Sequence, residues 1–152
     1  MRFLIVEDNE EKARQITEIV ETFAPTVVFH VRGLRAAYPA IQTGAWDIVV
    51  LDMTLHAAEG TFSAGSKESL AGIEVLQAMQ AGGDTAPVIV ATQHDVFRQD
   101  PLFFESVEAL DIALRDAFPD IYFCTVRVRL GSDLWKNEIK ERIQQLIARG
   151  RR

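Results

Sequence analysis

Three carboxylates are the residues of this chain best placed to do chemistry: Glu7 and Asp8, side by side, and Asp52. Each stands at the end of a short apolar run. Glu7 and Asp8 follow Arg2-Phe3-Leu4-Ile5-Val6, and Asp52 follows Asp47-Ile48-Val49-Val50-Leu51. Such runs, rich in β-branched residues, are expected for strands buried on both faces of a parallel sheet. In open α/β sheets ligands bind outside the carboxyl ends of the strands, where these acids would emerge. Three carboxylates gathered at one point do not all stay ionised cheaply without a cation. Hard oxygen ligands suit Mg²⁺, which usually takes one or two carboxylates and keeps several waters. A metal beside an aspartate that can act as a nucleophile points to a phosphoryl acceptor.

The rest of the chain supplies the elements to hold these acids. Ala13, Ile16, Ile19, Val20 and Phe23 recur at helical spacing after the first strand. Thr26 to Val31 reads as a second strand. Leu34, Ala37, Tyr38 and Ile41 suggest a helix ending near Gly44, with Pro39 requiring a late start or a kink. The third strand is 47–52. A segment rich in Gly, Ser and Ala, without clear period, runs from Met53 to about Ser69. Leu70, Ile73, Val75, Leu76 and Met79 then mark a third helix, closed by Gly82-Gly83. Pro87 to Ala91 is a fourth strand, followed by a polar loop from Thr92 to about Pro101. Val107, Leu110, Leu114 and Ala117 give a fourth helix, and Ile121 to Leu130 a fifth, longer strand. Gly131-Ser132-Asp133 is a turn and N-cap for a last helix carrying Leu134, Ile139, Ile143, Leu146 and Ile147. Strict alternation of five strands and five helices predicts an α/β fold, a parallel sheet with helices on both faces.

Composition sets the bounds. The 152 residues fit one domain, 1–152, and 48% hydrophobic with 25% charged residues is ordinary for a globular protein. The net charge of −6 argues against nonspecific nucleic-acid binding. The basic end, Arg149-Gly150-Arg151-Arg152, reads as a frayed tail. The single cysteine, Cys124, lies in an apolar run and reads as a small buried hydrophobe. No signal-peptide pattern is present and no apolar run approaches the ~18 residues of a membrane helix. A cytoplasmic protein is the expectation.

Four pieces resemble the receiver domain of bacterial response regulators, the CheY-like fold. They are Phe3-Leu4-Ile5-Val6-Glu7-Asp8-Asn9, Asp47-Ile48-Val49-Val50-Leu51-Asp52-Met53, Gly72-Ile73-Glu74-Val75-Leu76 and Ala86-Pro87-Val88-Ile89-Val90-Ala91-Thr92, in the family's order. The resemblance implies a flavodoxin-like, doubly wound five-stranded parallel sheet, (βα)5, with strand order 2-1-3-4-5. It implies Asp52 as phospho-acceptor. It implies Glu7, Asp8 and Asp52 as Mg²⁺ ligands, with Asp8 the more direct of the first two, and the carbonyl of Thr54 as a further contact. Thr92 would be the hydroxyl that turns toward the phosphoryl group.

The sequence also departs from that family. The usual Lys-Pro pair at the end of strand five is missing; the region reads Thr125-Val126-Arg127-Val128-Arg129-Leu130-Gly131. Arg127, Arg129 and Lys136 are the candidate substitutes, although arginine's planar fork does not replace a lysine point charge cleanly. His56 stands where the family has proline. Gly72 comes roughly ten residues later than the family's helix-opening glycine, counted on the chain itself. His56 and His94 near the acids would also suit a transition metal. Ser132-Asp133-Leu134-Trp135-Lys136 resembles a divergent branch of stand-alone receiver-like proteins, which often lack the full phosphorylation site. Trp135, Phe103 and Phe104 read as packing residues, with a partner-binding surface as the alternative.

The leading expectation is a stand-alone receiver in two-component phosphorelay signalling. It would take a phosphoryl group from a histidine kinase or phosphotransfer protein and act on an unknown output protein by contact. A homodimer through the helix 4–strand 5–helix 5 face would match the family; nucleic acid and membrane are not expected partners. The alternative is a pseudo-receiver adaptor working without phosphorylation. An enzyme is not expected: a dehalogenase-type Mg²⁺-dependent phosphohydrolase needs a second Asp where Thr54 stands, and a flavodoxin needs a phosphate loop where Glu7-Asp8 stand.

Overall fold

The computed structural model describes residues 1–56, 68–99 and 101–150. Five strands form one parallel sheet: β1 (Arg2–Val6), β2 (Val27–Val31), β3 (Ile48–Leu51), β4 (Val88–Thr92) and β5 (Tyr122–Arg127). Their order is β2-β1-β3-β4-β5, as expected for the flavodoxin-like arrangement. The connecting helices are α1 (Glu10–Glu21), α2 (Leu34–Thr43), α3 (Ala71–Ala81), α4 (Val107–Ala117) and α5 (Leu134–Gly150).

Alternation along the strands divides the core in two. Phe3, Ile5, Ile48, Val50, Ile89 and Val126 pack against Ile16 and Val20 of α1 and Trp135, Ile139 and Ile143 of α5. Leu4, Val6, Val49, Leu51, Val88 and Val90 pack on the other face with residues of α2, α3 and α4. The central strands β3 and β4 are therefore buried at every position, and apolar at all but the last, Thr92, because neither face meets water. Each such buried aliphatic side chain stabilises the fold by roughly 1.5–3 kcal/mol relative to exposure. Cys124 and Trp135 belong to the α1/α5 side of this core, as expected.

Several expectations need correction. Pro39 neither delays nor ends its helix: α2 runs from Leu34 through it. The proline leaves the carbonyl of Arg35 without its helical donor, but both residues are exposed and water can serve. The region after Thr92 is not simply a loop. Phe97–Gln99 and Leu102–Phe104 form an antiparallel ladder, pairing Phe97 with Phe104 and Gln99 with Leu102. Within the segment from Met53 to Ser69, Leu55–His56 pairs antiparallel with Glu68–Ser69; residues 57–67 lie outside the described residues. Strands this short carry too few residues for a period to show. The fifth strand stops at Arg127, three residues early, although Val128 still donates to the Thr92 carbonyl at 2.7 Å. The chain end is not frayed up to Gly150. Arg149 lies in α5 with its guanidinium 4.9 Å from the Phe123 ring centre. Of the three aromatics read as packing, Trp135 is buried and Phe104 is packed against the core. Phe103 is instead 52% exposed, beneath the Arg98 guanidinium.

Candidate functional site

The register of the sheet assembles the acids. Val6 pairs with Leu51 across β1 and β3, so both strands release their next residues side by side at the carboxyl edge. Backbone bonds fix them there: Asp52 N–H donates to the Val6 carbonyl at 2.9 Å and Glu7 N–H to the Val31 carbonyl at 3.0 Å. A ring nitrogen of His30 lies 2.7 Å from the Glu7 carbonyl. Glu7, Asp8 and Asp52 each offer an oxygen, and these three oxygens all lie within 4.8 Å of one another. Glu7 and Asp52 are buried and Asp8 is half-buried. This is the predicted acid cluster.

Its floor is a close backbone contact. Gly72, the second residue of α3, donates its N–H to the Met53 carbonyl at 3.0 Å. A Cβ on Gly72 would stand 2.7 Å from the Met53 Cα and 2.8 Å from the Asp52 carbonyl oxygen. Only glycine allows α3 to lie this close behind Asp52. The ladder between Leu55–His56 and Glu68–Ser69 explains how a late glycine still arrives here. Leu55–His56 and Glu68–Ser69 lie paired at the two ends of the 55–69 segment, which brings the chain back beside β3 before α3 begins.

The other residues expected at the site are nearby. Thr54 is buried, and its N–H donates to Asp52 Oδ1 at 3.3 Å while its hydroxyl makes no hydrogen bond. Thr92 is fully buried at the end of β4, and its hydroxyl accepts from the His94 N–H at 3.2 Å. Leu51 pairs with Val90, which places Thr92 at the same sheet edge as Asp52 on the neighbouring strand. His94 is not part of the acid group, and the His56 side chain lies outside the described residues.

None of the three basic residues considered at the end of strand five makes an ion pair with the acids. Arg127 pairs with Asp95 at 2.6 Å, Arg129 is exposed, and Lys136 pairs with Asp133 at 3.3 Å. Among the described residues, a cation that does pair with the acids is Lys12, which the sequence pattern did not single out. Its side chain is buried, with Nζ 2.8 Å from Glu7 Oε2 and 3.3 Å from Asp52 Oδ1. Its position is set locally. Asn9 caps α1 by accepting the Lys12 N–H at 2.9 Å, and Glu7 Oε1 accepts the Asn9 N–H at 3.1 Å. Lys12 then falls on the apolar stripe of α1, one turn before Ile16, and must point inward. That spacing was the signal: a lysine in step with the buried face of an amphipathic helix.

The electrostatics follow from burial. Glu7 is pushed up to about 8, mainly by burial, with the Asp52 charge adding and Lys12 opposing. Asp52 is also raised, first by burial and further by Asp8, while Lys12 and the Thr54 N–H hold it down. Lys12 offsets part of the charge that Glu7 and Asp52 bring to the cluster. An all-oxygen donor set in this state fits a hard divalent cation, which would share Glu7 Oε2 with Lys12.

The fold is that of response-regulator receiver domains. The receiver domain of Francisella response regulator 1452 matches 98% of this chain and 98% of its own, with a TM-score of 0.64 at 18% identity. Response regulator TrrA of Thermotoga maritima, solved in complex with Mg²⁺ and BeF, matches 95% of this chain and 97% of its own, with a TM-score of 0.58 at 19% identity. By sequence, the chain is 29% identical over 151 residues to the Detocs response regulatory protein DtcB of Enterobacter cloacae, covering 96% of this chain and all of that protein. No family model matches the chain.

Proposed function

We propose that the chain is a response-regulator receiver. Asp52 accepts a phosphoryl group from a histidine kinase or phosphotransfer protein, and the output is a protein–protein contact. The observation that carries this reading is the convergence of Glu7, Asp8 and Asp52 oxygens at the carboxyl edge of the sheet. Glu7, Asp8, Asp52 and the carbonyl of Thr54 would hold Mg²⁺, which when bound would neutralise phosphate charge. Asp52 is the nucleophile, held by the Thr54 N–H and by the backbone bond to β1. Thr92, one strand away, is the hydroxyl that can leave the His94 N–H for a phosphoryl oxygen. That exchange would couple phosphorylation to the Phe97–Gln99/Leu102–Phe104 ladder, where Val96, Leu102 and Phe103 are exposed. These apolar residues and Ile112 of α4 make the helix 4–strand 5–helix 5 side the natural place for an output protein or a second copy. The chain turns nothing over as an enzyme in this reading, and a cytoplasmic setting goes with it.

Incubation with Mg²⁺ and acetyl phosphate, followed by intact mass, tests the reading. A phosphate-sized gain in the wild type that is absent from Asp52→Asn is expected. A gain in neither folded protein would refute it. That result would favour a pseudo-receiver adaptor, for which Lys12, already neutralising part of the cluster, is the supporting observation.

A further inference from the structure

Lys12 has no reason to be buried on packing grounds alone. An ammonium taken wholly out of water costs several kcal/mol unless it is paired, even after relaxation of its surroundings. An aliphatic residue would continue the α1 stripe at no such cost. The side chain is nevertheless fully buried, against Glu7 and Asp52. Nζ lies 2.8 Å from Glu7 Oε2 and 3.3 Å from Asp52 Oδ1, so it ion-pairs with both carboxylates. Two carboxylate contacts leave capacity among its three N–H donors for a group newly placed on Asp52.

We propose that Lys12 is the phosphoryl-binding cation of this protein, supplied from helix α1 in place of the lysine missing after strand five. The inference rests on the receiver reading of Asp52. With acetyl phosphate, an Asp52 oxygen attacks phosphorus and a P–O bond to Asp52 forms. The P–O bond to acetate breaks, and its electron pair leaves with acetate; no proton moves. Two negative charges arrive beside Asp52 with the phosphoryl group. Lys12 Nζ, 3.3 Å from Asp52 Oδ1, is the cation in position to receive them. Arg127 is drawn away to Asp95 and Lys136 to Asp133. The relocation also accounts for a charge on the buried face of α1, at the position that reaches the acids.

The test is Lys12→Met, which keeps the length of the side chain and removes its charge. Two quantities are read on folded protein. One is the rate of phosphate-sized mass gain with acetyl phosphate at saturating Mg²⁺. The other is Mg²⁺ affinity without any phosphodonor, by calorimetric titration. Removing a phosphoryl-binding cation should slow the gain by about tenfold or more, on the scale of losing one charge-stabilising donor. Mg²⁺ affinity should hold or rise, because a competing positive charge has left the carboxylates. A merely structural lysine would not separate the two readouts. Phosphorylation of Lys12→Met at the wild-type rate would overturn the proposal, and so would loss of Mg²⁺ binding together with phosphorylation. If Lys12→Met does not fold, Lys12→Gln is read in the same way. Failure of the wild type itself to gain mass is a different outcome: it removes the receiver reading, and this proposal with it.

Discussion

Replacing Gly72 with alanine tests whether the fold and the acid site share one contact. The added Cβ would lie 2.7 Å from the Met53 Cα and 2.8 Å from the Asp52 carbonyl oxygen, where ordinary contact begins at 3.4 Å. The shortfall is about 0.7 Å on that scale, and both obstacles are backbone atoms that cannot turn aside. Overpacking of this kind costs roughly 1–3 kcal/mol. Alanine recovers at most about 1 kcal/mol of helix propensity, less near a helix start. A net loss of about 1–2 kcal/mol corresponds to a fall in Tm of roughly 2–8 °C for a chain of this size. Thermal unfolding followed by circular dichroism measures it. The same push displaces the backbone that carries Asp52, so the rate of mass gain with acetyl phosphate should fall as well. Gly83→Ala is the control. Gly83 has a φ of +71° and nothing within 4 Å, so alanine there strains the backbone without touching the site. It should lower Tm and leave phosphorylation unchanged. A Gly72→Ala protein with undiminished Tm would show that α3 does not press on the Asp52–Met53 backbone.

Cys124 is pushed up to about 12 by burial among the α1/α5 core residues. The folded state favours the neutral thiol, so this contribution is full below the unfolded value of about 9 and is lost as pH rises from there toward 12. Wild-type stability should therefore fall more steeply than that of Cys124→Ala above pH ~9, and equal slopes in denaturant melts would count against it. The native thiol should also resist maleimide at neutral pH until the chain is unfolded. Arg127→Gln should leave phosphorylation of Asp52 intact, since the guanidinium is engaged by Asp95; a lost mass gain would return the phosphoryl cation to strand five. The pair is partly exposed on both sides, so Asp95→Ala should change stability by no more than about 1 kcal/mol in urea melts. Phe103→Asp should leave the monomer fold unchanged in circular dichroism while weakening any self-association seen by sedimentation, because its ring is half exposed.

The sheet was legible because each central strand is buried on both faces, which writes it as an unbroken apolar run such as Ile48–Leu51 or Val88–Ala91. The acids were legible for a related reason: a charge can appear only where such a run leaves the sheet. The short ladders were hidden because two or three residues of pairing leave no period, and their partners are fixed by contacts elsewhere. Gln99 accepts the N–H of Leu70 at 2.8 Å, a tie between segments nearly thirty residues apart that no local pattern announces. Lys12 was hidden differently. Read alone, Glu10-Glu11-Lys12 is a charged, solvated helix start, and Glu10 and Glu11 are indeed exposed. Only the phase of α1, counted back from Ile16 and Val20, turns the third of these residues inward. The proposed phosphoryl site needs a cation near Asp52 from any element that can reach it, not from strand five in particular. The start of α1 does reach it, with Lys12 Nζ 3.3 Å from Asp52 Oδ1. A buried lysine one turn into that helix meets the requirement from the other side.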